Sequence, residues 1–174
     1  MAEVTGLPEN RAAICLAAMR PEEIAAIGQW PSYEGVHAQM DYALRDGGWL
    51  AHFCGDGGNH CYAARLDGVC VGFSLLIRQG MTEAELRIAV HPLLVGQGLG
   101  AAIMAKTLAA GFGELGFAAI WLIVRKNNPI ARRLYARCGF QLLGETGRTI
   151  QGQAVEFFRM RLSRAQYRKG RDQE

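Results

Sequence analysis

The sequence predicts a mixed α/β (α+β) fold, and three stretches carry that prediction. Asp67-Gly68 separates the apolar runs CYAARL and VCVGFSLLI, and this dipeptide suits the two-residue type I′ turn of a β-hairpin. TEAELRIAV at 82–90 alternates as a strand does and then runs through a proline and three glycines into an alanine-rich, helix-like segment. AIWLIV at 119–124 is followed by Asn128-Pro129, a helix N-cap and a first-turn proline.

Each element can be justified in chain order. Residues 13–19, AICLAAM, suit a short buried strand, and Pro21-Glu22-Glu23 opens a helix with acids in its first turn, ending near Trp30-Pro31. Residues 33–46 suit a second helix with poor periodicity, and GDGGN at 55–59 a loop. The hairpin covers 61–77. In the 82–90 strand, Leu86, Ile88 and Val90 face one way and Glu83, Glu85 and Arg87 the other, which predicts one solvated polar face. Pro92 ends that strand because it has no N–H to donate. From Gly98 the pattern is helical, with Met104, Leu108 and Phe112 on one stripe until Gly111, Gly113 and Gly116 interrupt it. The 119–124 run lacks alternation, as a central strand covered on both faces does. The next helix stacks Ile130, Leu134 and Cys138 before Gly139 stops it, and strands at about 140–145 and 154–162 close the chain.

With 174 residues, 50% hydrophobic and 20% charged, and a mean hydropathy of +0.03, the chain reads as one domain over 1–174. Its core spans about 12–162, and 163–174 form a basic, solvated and frayed tail. No apolar run reaches the ~18 residues of a membrane span, and Glu3, Glu9 and Arg11 break any leader pattern. A cytoplasmic protein with no membrane association is the expectation. The five cysteines, at 15, 54, 61, 70 and 138, are scattered and odd in number, which suits free thiols. A net charge of +3 without aromatic interleaving argues against nucleic acid as a partner. His52, Cys54, His60 and Cys61 are the one grouping of metal-ligand types, but their H-x-C-x5-H-C spacing is not that of a zinc site, so no metal is expected.

The glycines of VGQGLGA, at 96, 98 and 100, are where chemistry is to be sought. One reading is a phosphate cradle, in which glycines let the backbone approach an anion at a helix N-terminus whose first N–H groups have no partners. A second is a dinucleotide fingerprint, since Gly96, Gly98 and Ala101 satisfy G-x-G-x-x-G/A. A third is a tight strand-to-helix turn. The dinucleotide reading lacks the acid it needs at the end of the next strand, where Arg125 and Lys126 stand.

Two motifs together are more specific. Val90-His91-Pro92 followed by Val95-Gly96-Gln97-Gly98-Leu99-Gly100-Ala101 resembles the pyrophosphate loop of the GNAT superfamily of N-acetyltransferases, Q/R-x-x-G-x-G/A, with Val95 where that family has Gln or Arg. Val124, Asn128-Pro129-Ile130-Ala131, Tyr135 and Gly139-Phe140 match its second pattern, V-x-x-x-N-x-x-A-x-x-x-Y-x-x-x-G-F. The resemblance covers residues 60–162 well and the first sixty more loosely.

That resemblance implies a mostly antiparallel sheet splayed between its fourth and fifth strands and flanked by about four helices. It implies acetyl-CoA as co-substrate and direct transfer of acetyl to a primary amine, on a small molecule, a protein N-terminus or a lysine. The main chain of Val95, Gly96, Gln97, Gly98, Leu99, Gly100 and Ala101 would hold the pyrophosphate. A strand N–H near Ala89 and Val90 would polarise the thioester carbonyl. Tyr135 would protonate the departing thiolate, and Asn128 would contact the cofactor while capping its helix. Glu85, with Glu83 two residues away, is the expected base, although both could be solvated strand residues paired with Arg87. A non-catalytic acyl-CoA sensor on the same fold is the rival reading. Residues 30–45 and a 146–153 loop are expected to recognise the acceptor, with Glu34, Asp41, Asp46 and Glu145 attracting a cationic amine; such folds also allow a homodimer through their last strands.

Overall fold

The computed structural model describes residues 13–45, 47–54 and 57–172. A seven-stranded sheet runs in the order β1-β2-β3-β4-β5-β7-β6. Its strands are β1 (Cys15–Ala18), β2 (His60–Leu66), β3 (Val69–Gln79), β4 (Glu83–Val90), β5 (Ala119–Arg125), β6 (Gln141–Ile150) and β7 (Gln153–Ser163). Neighbours are antiparallel except β4 and β5, which are parallel. Around it lie α1 (Pro21–Gly28), α2 (Trp49–Cys54), α3 (Leu99–Phe112), α4 (Pro129–Arg137) and α5 (Arg164–Arg171), with 3-10 turns at Gly35–Leu44 and Pro92–Leu94. No described helix is long and apolar enough to cross a membrane.

Local chemistry accounts for most of these elements. The β2–β3 hairpin turns at Asp67 (φ 50°) and Gly68 (φ 82°), the two positive φ values a type I′ turn needs. Helix α1 starts on Pro21, and Glu23 at its third position accepts from the Arg20 backbone N–H at 2.8 Å. Arg65 on β2 grips the same carboxylate with two contacts of 2.7 Å, fastening α1 to the sheet. Burial works against the Glu23 charge, yet the Arg20 amide and the Arg20 and Arg65 guanidinium groups prevail, and its carboxyl sits below the usual range. Asn128 caps α4 by accepting from the Ala131 N–H at 3.0 Å.

The core lies on both faces of the sheet. On one, Met104, Leu108 and Phe112 of α3 pack against Leu76, Leu86, Ile120 and Leu122. On the other, Trp49 and Leu50 of α2 pack against Phe73, Leu75, Ile77 and Ala89.

Five sequence expectations need correction. Residues 33–46 do not form a regular helix: their poor periodicity yields the 3-10 turn, with α2 following it unforeseen. Because α2 covers the β4 face expected to be solvated, Glu85 is only 3% exposed and Arg87 lies over the rings of Phe53 and Trp49, at 4.7 and 5.5 Å. In α4 the inward face is Ala131, Tyr135 and Cys138, while Ile130 is exposed. The last strands are longer than expected and turn at Gln151-Gly152, so 146–153 is a hairpin end rather than a loop. The tail after Ser163 is not frayed over 164–171. It forms α5, capped by Ser163 and Gln166 and docked by Tyr167, whose ring stacks on Phe112 at 4.8 Å.

Candidate active site

Strands β4 and β5 are joined only at their starts, by the pairs Glu83–Ala119, Ala84–Ile120 and Glu85–Trp121. Beyond that point β3 keeps β4 as far as the Gly72–Val90 pair, and β7 keeps β5 as far as Arg125–Phe157. Each strand follows its antiparallel neighbour, and the two part. The sheet is thus splayed between its fourth and fifth strands, leaving Leu86–Val90 without ladder partners on that side.

A cleft of about 430 Å³ opens at the parting. Helix α4 closes one wall with Asn128, Ala131 and Tyr135, three positions that fall on one face of a helix. Glu85, Leu86, Arg87 and Ile88 of β4 form the floor. The 3-10 turn and α2 supply Tyr42, Trp49 and Phe53, and the β6–β7 end supplies Arg148, Thr149 and Phe157. Both segments expected to recognise an acceptor therefore reach the cleft.

Tyr135 packs against Phe140, ring to ring at 6.2 Å, and burial pushes its phenol up to about 12. Its hydroxyl therefore keeps its proton at neutral pH. Glu85 meets Arg87 Nη2 at 2.9 Å through Oε1, while Oε2 has Arg148 at 4.0 Å. Glu83 does not line the cleft and is bound to Arg161 at 2.8 Å. Asn128 spends its side-chain oxygen on the helix cap.

The glycine loop follows directly on β4. Tyr33 donates to the Val90 carbonyl at 2.6 Å, and His91 Nδ1 accepts from the Leu93 N–H at 3.2 Å while its ring lies 4.6 Å from Trp30. Gly96 and Gly98 have φ of 86° and 80°, a left-handed conformation that a side chain resists, and a Cβ on Gly96 would meet nothing within 4 Å. Gly98 caps α3 with no side-chain hydrogen bond, so the first amides of the helix keep open N–H groups. Val95 packs into the α2-side core and contributes only its main chain to the loop. These residues fit a pyrophosphate in their backbone geometry.

Of the expected site residues, Glu85, Asn128 and Tyr135 meet in the cleft. Ala89 and Val90 continue along the open edge of β4, and Val95–Ala101 lie beyond them at the α3 N-terminus. None of Glu34, Asp41 and Glu145 lines the cleft. Asp41 is taken up by Arg45 at 2.7 Å and Glu145 by Lys126 at 2.5 Å, while Asp46 lies outside the described residues. The attraction expected of Glu34, Asp41 and Glu145 is thus unsupported. The residues that sequence reasoning missed are Arg125 and Arg148. Only the sheet register brings them together, and no local motif marks them.

Residues 24–140 match the acetyltransferase (GNAT) family. Uncharacterized N-acetyltransferases of Mycobacterium tuberculosis and Mycobacterium bovis are 33% identical over 131 residues, 75% of this chain and 75% of theirs. Among solved structures, spermidine/spermine N-acetyltransferase SpeG from Vibrio cholerae, in complex with manganese ions, superposes with a TM-score of 0.73 at 20% identity, covering 92% of this chain and 98% of that one. A dodecameric form of the Vibrio cholerae spermidine N-acetyltransferase gives 0.71 at 20% identity over 90% and 96%. At that identity the likeness is one of fold. The motifs, the parted sheet and the matches to family and relatives agree: the chain is an acyltransferase belonging to the GNAT acetyltransferase family.

Proposed function

We propose that this enzyme transfers acetyl from acetyl-CoA to a primary amine by direct attack, within a single domain. The observation that carries the reading is the parting of β4 from β5 beside Tyr135, a partly buried phenol that lines the gap and remains protonated at neutral pH.

Acetyl-CoA, when bound, supplies a thioester whose acetyl group is the one transferred. The amides of residues 96–101 would hold its pyrophosphate, and the Val95 main chain would complete the turn. The unladdered edge of β4 near Ala89 offers main-chain donors for a carbonyl oxygen on which negative charge develops, a contribution usually worth about 3 kcal/mol. Tyr135 holds a proton at its hydroxyl for a departing sulfur. An attacking amine must be neutral, so its proton needs an acceptor. Glu85 takes that role, directly or through water, with Arg87 fixing one oxygen and leaving the other toward the cleft. Asn128 keeps α4, and with it Tyr135, in register on the cleft wall.

The test is to follow free thiol and N-acetylated product together when the enzyme meets acetyl-CoA and a broad panel of amines, amino acids, peptides and antibiotics. Both are expected to appear in equal amounts. Tight acetyl-CoA binding with turnover of no amine would instead favour an acyl-CoA sensor.

A further inference from the structure

Among the described residues, the cleft is lined by the charged side chains of Glu85, Arg87, Arg125 and Arg148. Three guanidinium groups thus face one carboxylate among the described residues. Arg87 is matched by Glu85 at 2.9 Å, which leaves two cations over.

The register brings those two together. Arg125 of β5 pairs with Phe157 of β7, and Phe157 pairs with Thr146 of β6, so the three share a face. Arg148, two residues beyond Thr146, stands on that same face. Phe157 lies between the two strands and also lines the cleft. Arg125 gives one hydrogen bond, to the Gln39 carbonyl at 3.4 Å, and sits 5.9 Å from each of the Tyr42 and Phe157 rings. It has no ion-pair partner among the described residues. Arg148 has as its nearest carboxylate Glu85 Oε2, at 4.0 Å, and its side chain is 41% exposed. A guanidinium carries five N–H donors in a planar fork, and here most of them stay open in a cleft walled by aromatic rings.

On the reading that the cleft accepts an amine, we propose that the acceptor also carries a carboxylate, bound by Arg125 and Arg148, with its amine at Glu85. The match is chemical. A bidentate carboxylate satisfies the arginine fork, and an amine beside Glu85 lies at the one anionic group of the wall among the described residues. An acceptor of cationic groups alone would set its charges against a described lining that carries two more guanidinium groups than carboxylates. Acceptors of amino-acid type are therefore favoured over polyamines.

The experiment uses the full chain, acetyl-CoA and matched acceptor pairs: amino acids, each beside the amine that lacks its carboxylate, with spermidine as a further acceptor. The carboxylate-bearing member of a pair should show kcat/KM higher by about tenfold or more, the scale of a charge-assisted hydrogen bond. Arg148→Gln, at an exposed strand position, and Arg125→Gln should each raise acceptor KM about tenfold, with acetyl-CoA Kd moving less than about twofold. Preference for the decarboxylated amines or spermidine would overturn the proposal and leave the acetyltransferase reading standing. Loss of acetyl-CoA affinity with an unaltered acceptor preference would reassign the arginines to the coenzyme and overturn it equally. Transfer to no amine at all would remove the acetyltransferase reading, and this proposal with it.

Discussion

Tyr135 shows how a residue's environment decides its chemistry. A phenol in water titrates near 10, but burial against Phe140 and the α4 core carries this one up to about 12. A raised value keeps the neutral, proton-bearing form dominant across the working range and delays its loss as pH rises. In a proton-donating role, Tyr135→Phe should lower kcat by about a hundredfold with acetyl-CoA Kd nearly unchanged, as steady-state kinetics and calorimetry would show. In the wild type, loss of the Tyr135 proton should put no falling limb on kcat below about pH 10. A descending limb near neutrality, or an unaltered kcat in the variant, would remove Tyr135 from the chemistry. At this scale the sequence was informative where roles attach to motifs, and Tyr135 and Asn128 could be named from NPIARRLYARCGF. Glu85 could be named but not its setting, because nothing near it in sequence announces that α2 will bury it.

Elements were legible in proportion to the strength of their local signals. Asp67-Gly68 and Asn128-Pro129 specify their turn and cap through backbone preferences that act within a few residues, and both appear as expected. The Gln151-Gly152 turn was missed because glutamine rarely takes a positive φ, and here it is held at 49° by the ladder of β6 and β7. Helix α5 is a different case. Ser163-Arg164-Ala165-Gln166 is a capping-box pattern readable in advance, and the run of basic residues obscured it. The same scale carries a stability prediction. Glu23 joins α1 to β2 through Arg65, with side-chain exposures of 8% and 17%. Removing that charge by Glu23→Gln should cost about 3 kcal/mol, read by urea denaturation, since Arg65 would be left without its partner. Because the folded carboxyl is lowered, its contribution is present above the unfolded value and fades as pH falls through the folded one. The difference between wild type and variant should therefore shrink in acid, and a constant difference down to pH ~2 would contradict the assignment.

At the scale of the whole molecule, one topological fact organises the rest. A parallel pair set among antiparallel neighbours is held from both sides, and it parts after Glu85 and Trp121. The gap leaves main-chain groups of β4 without ladder partners, lets α4 present Tyr135, and points the strand end into the glycine turn of α3. Motif order conveyed this arrangement through the family resemblance. Arg125 and Arg148, 23 residues apart in sequence, come to one face only through the register of β7, which no local pattern encodes. The most direct test of the central claim is a crystal structure of the full chain with acetyl-CoA. The account predicts pyrophosphate oxygens within about 3 Å of the amides of residues 96–101, the thioester between β4 and β5, and its sulfur beside the Tyr135 hydroxyl. A coenzyme bound elsewhere, or a sulfur remote from Tyr135, would contradict it.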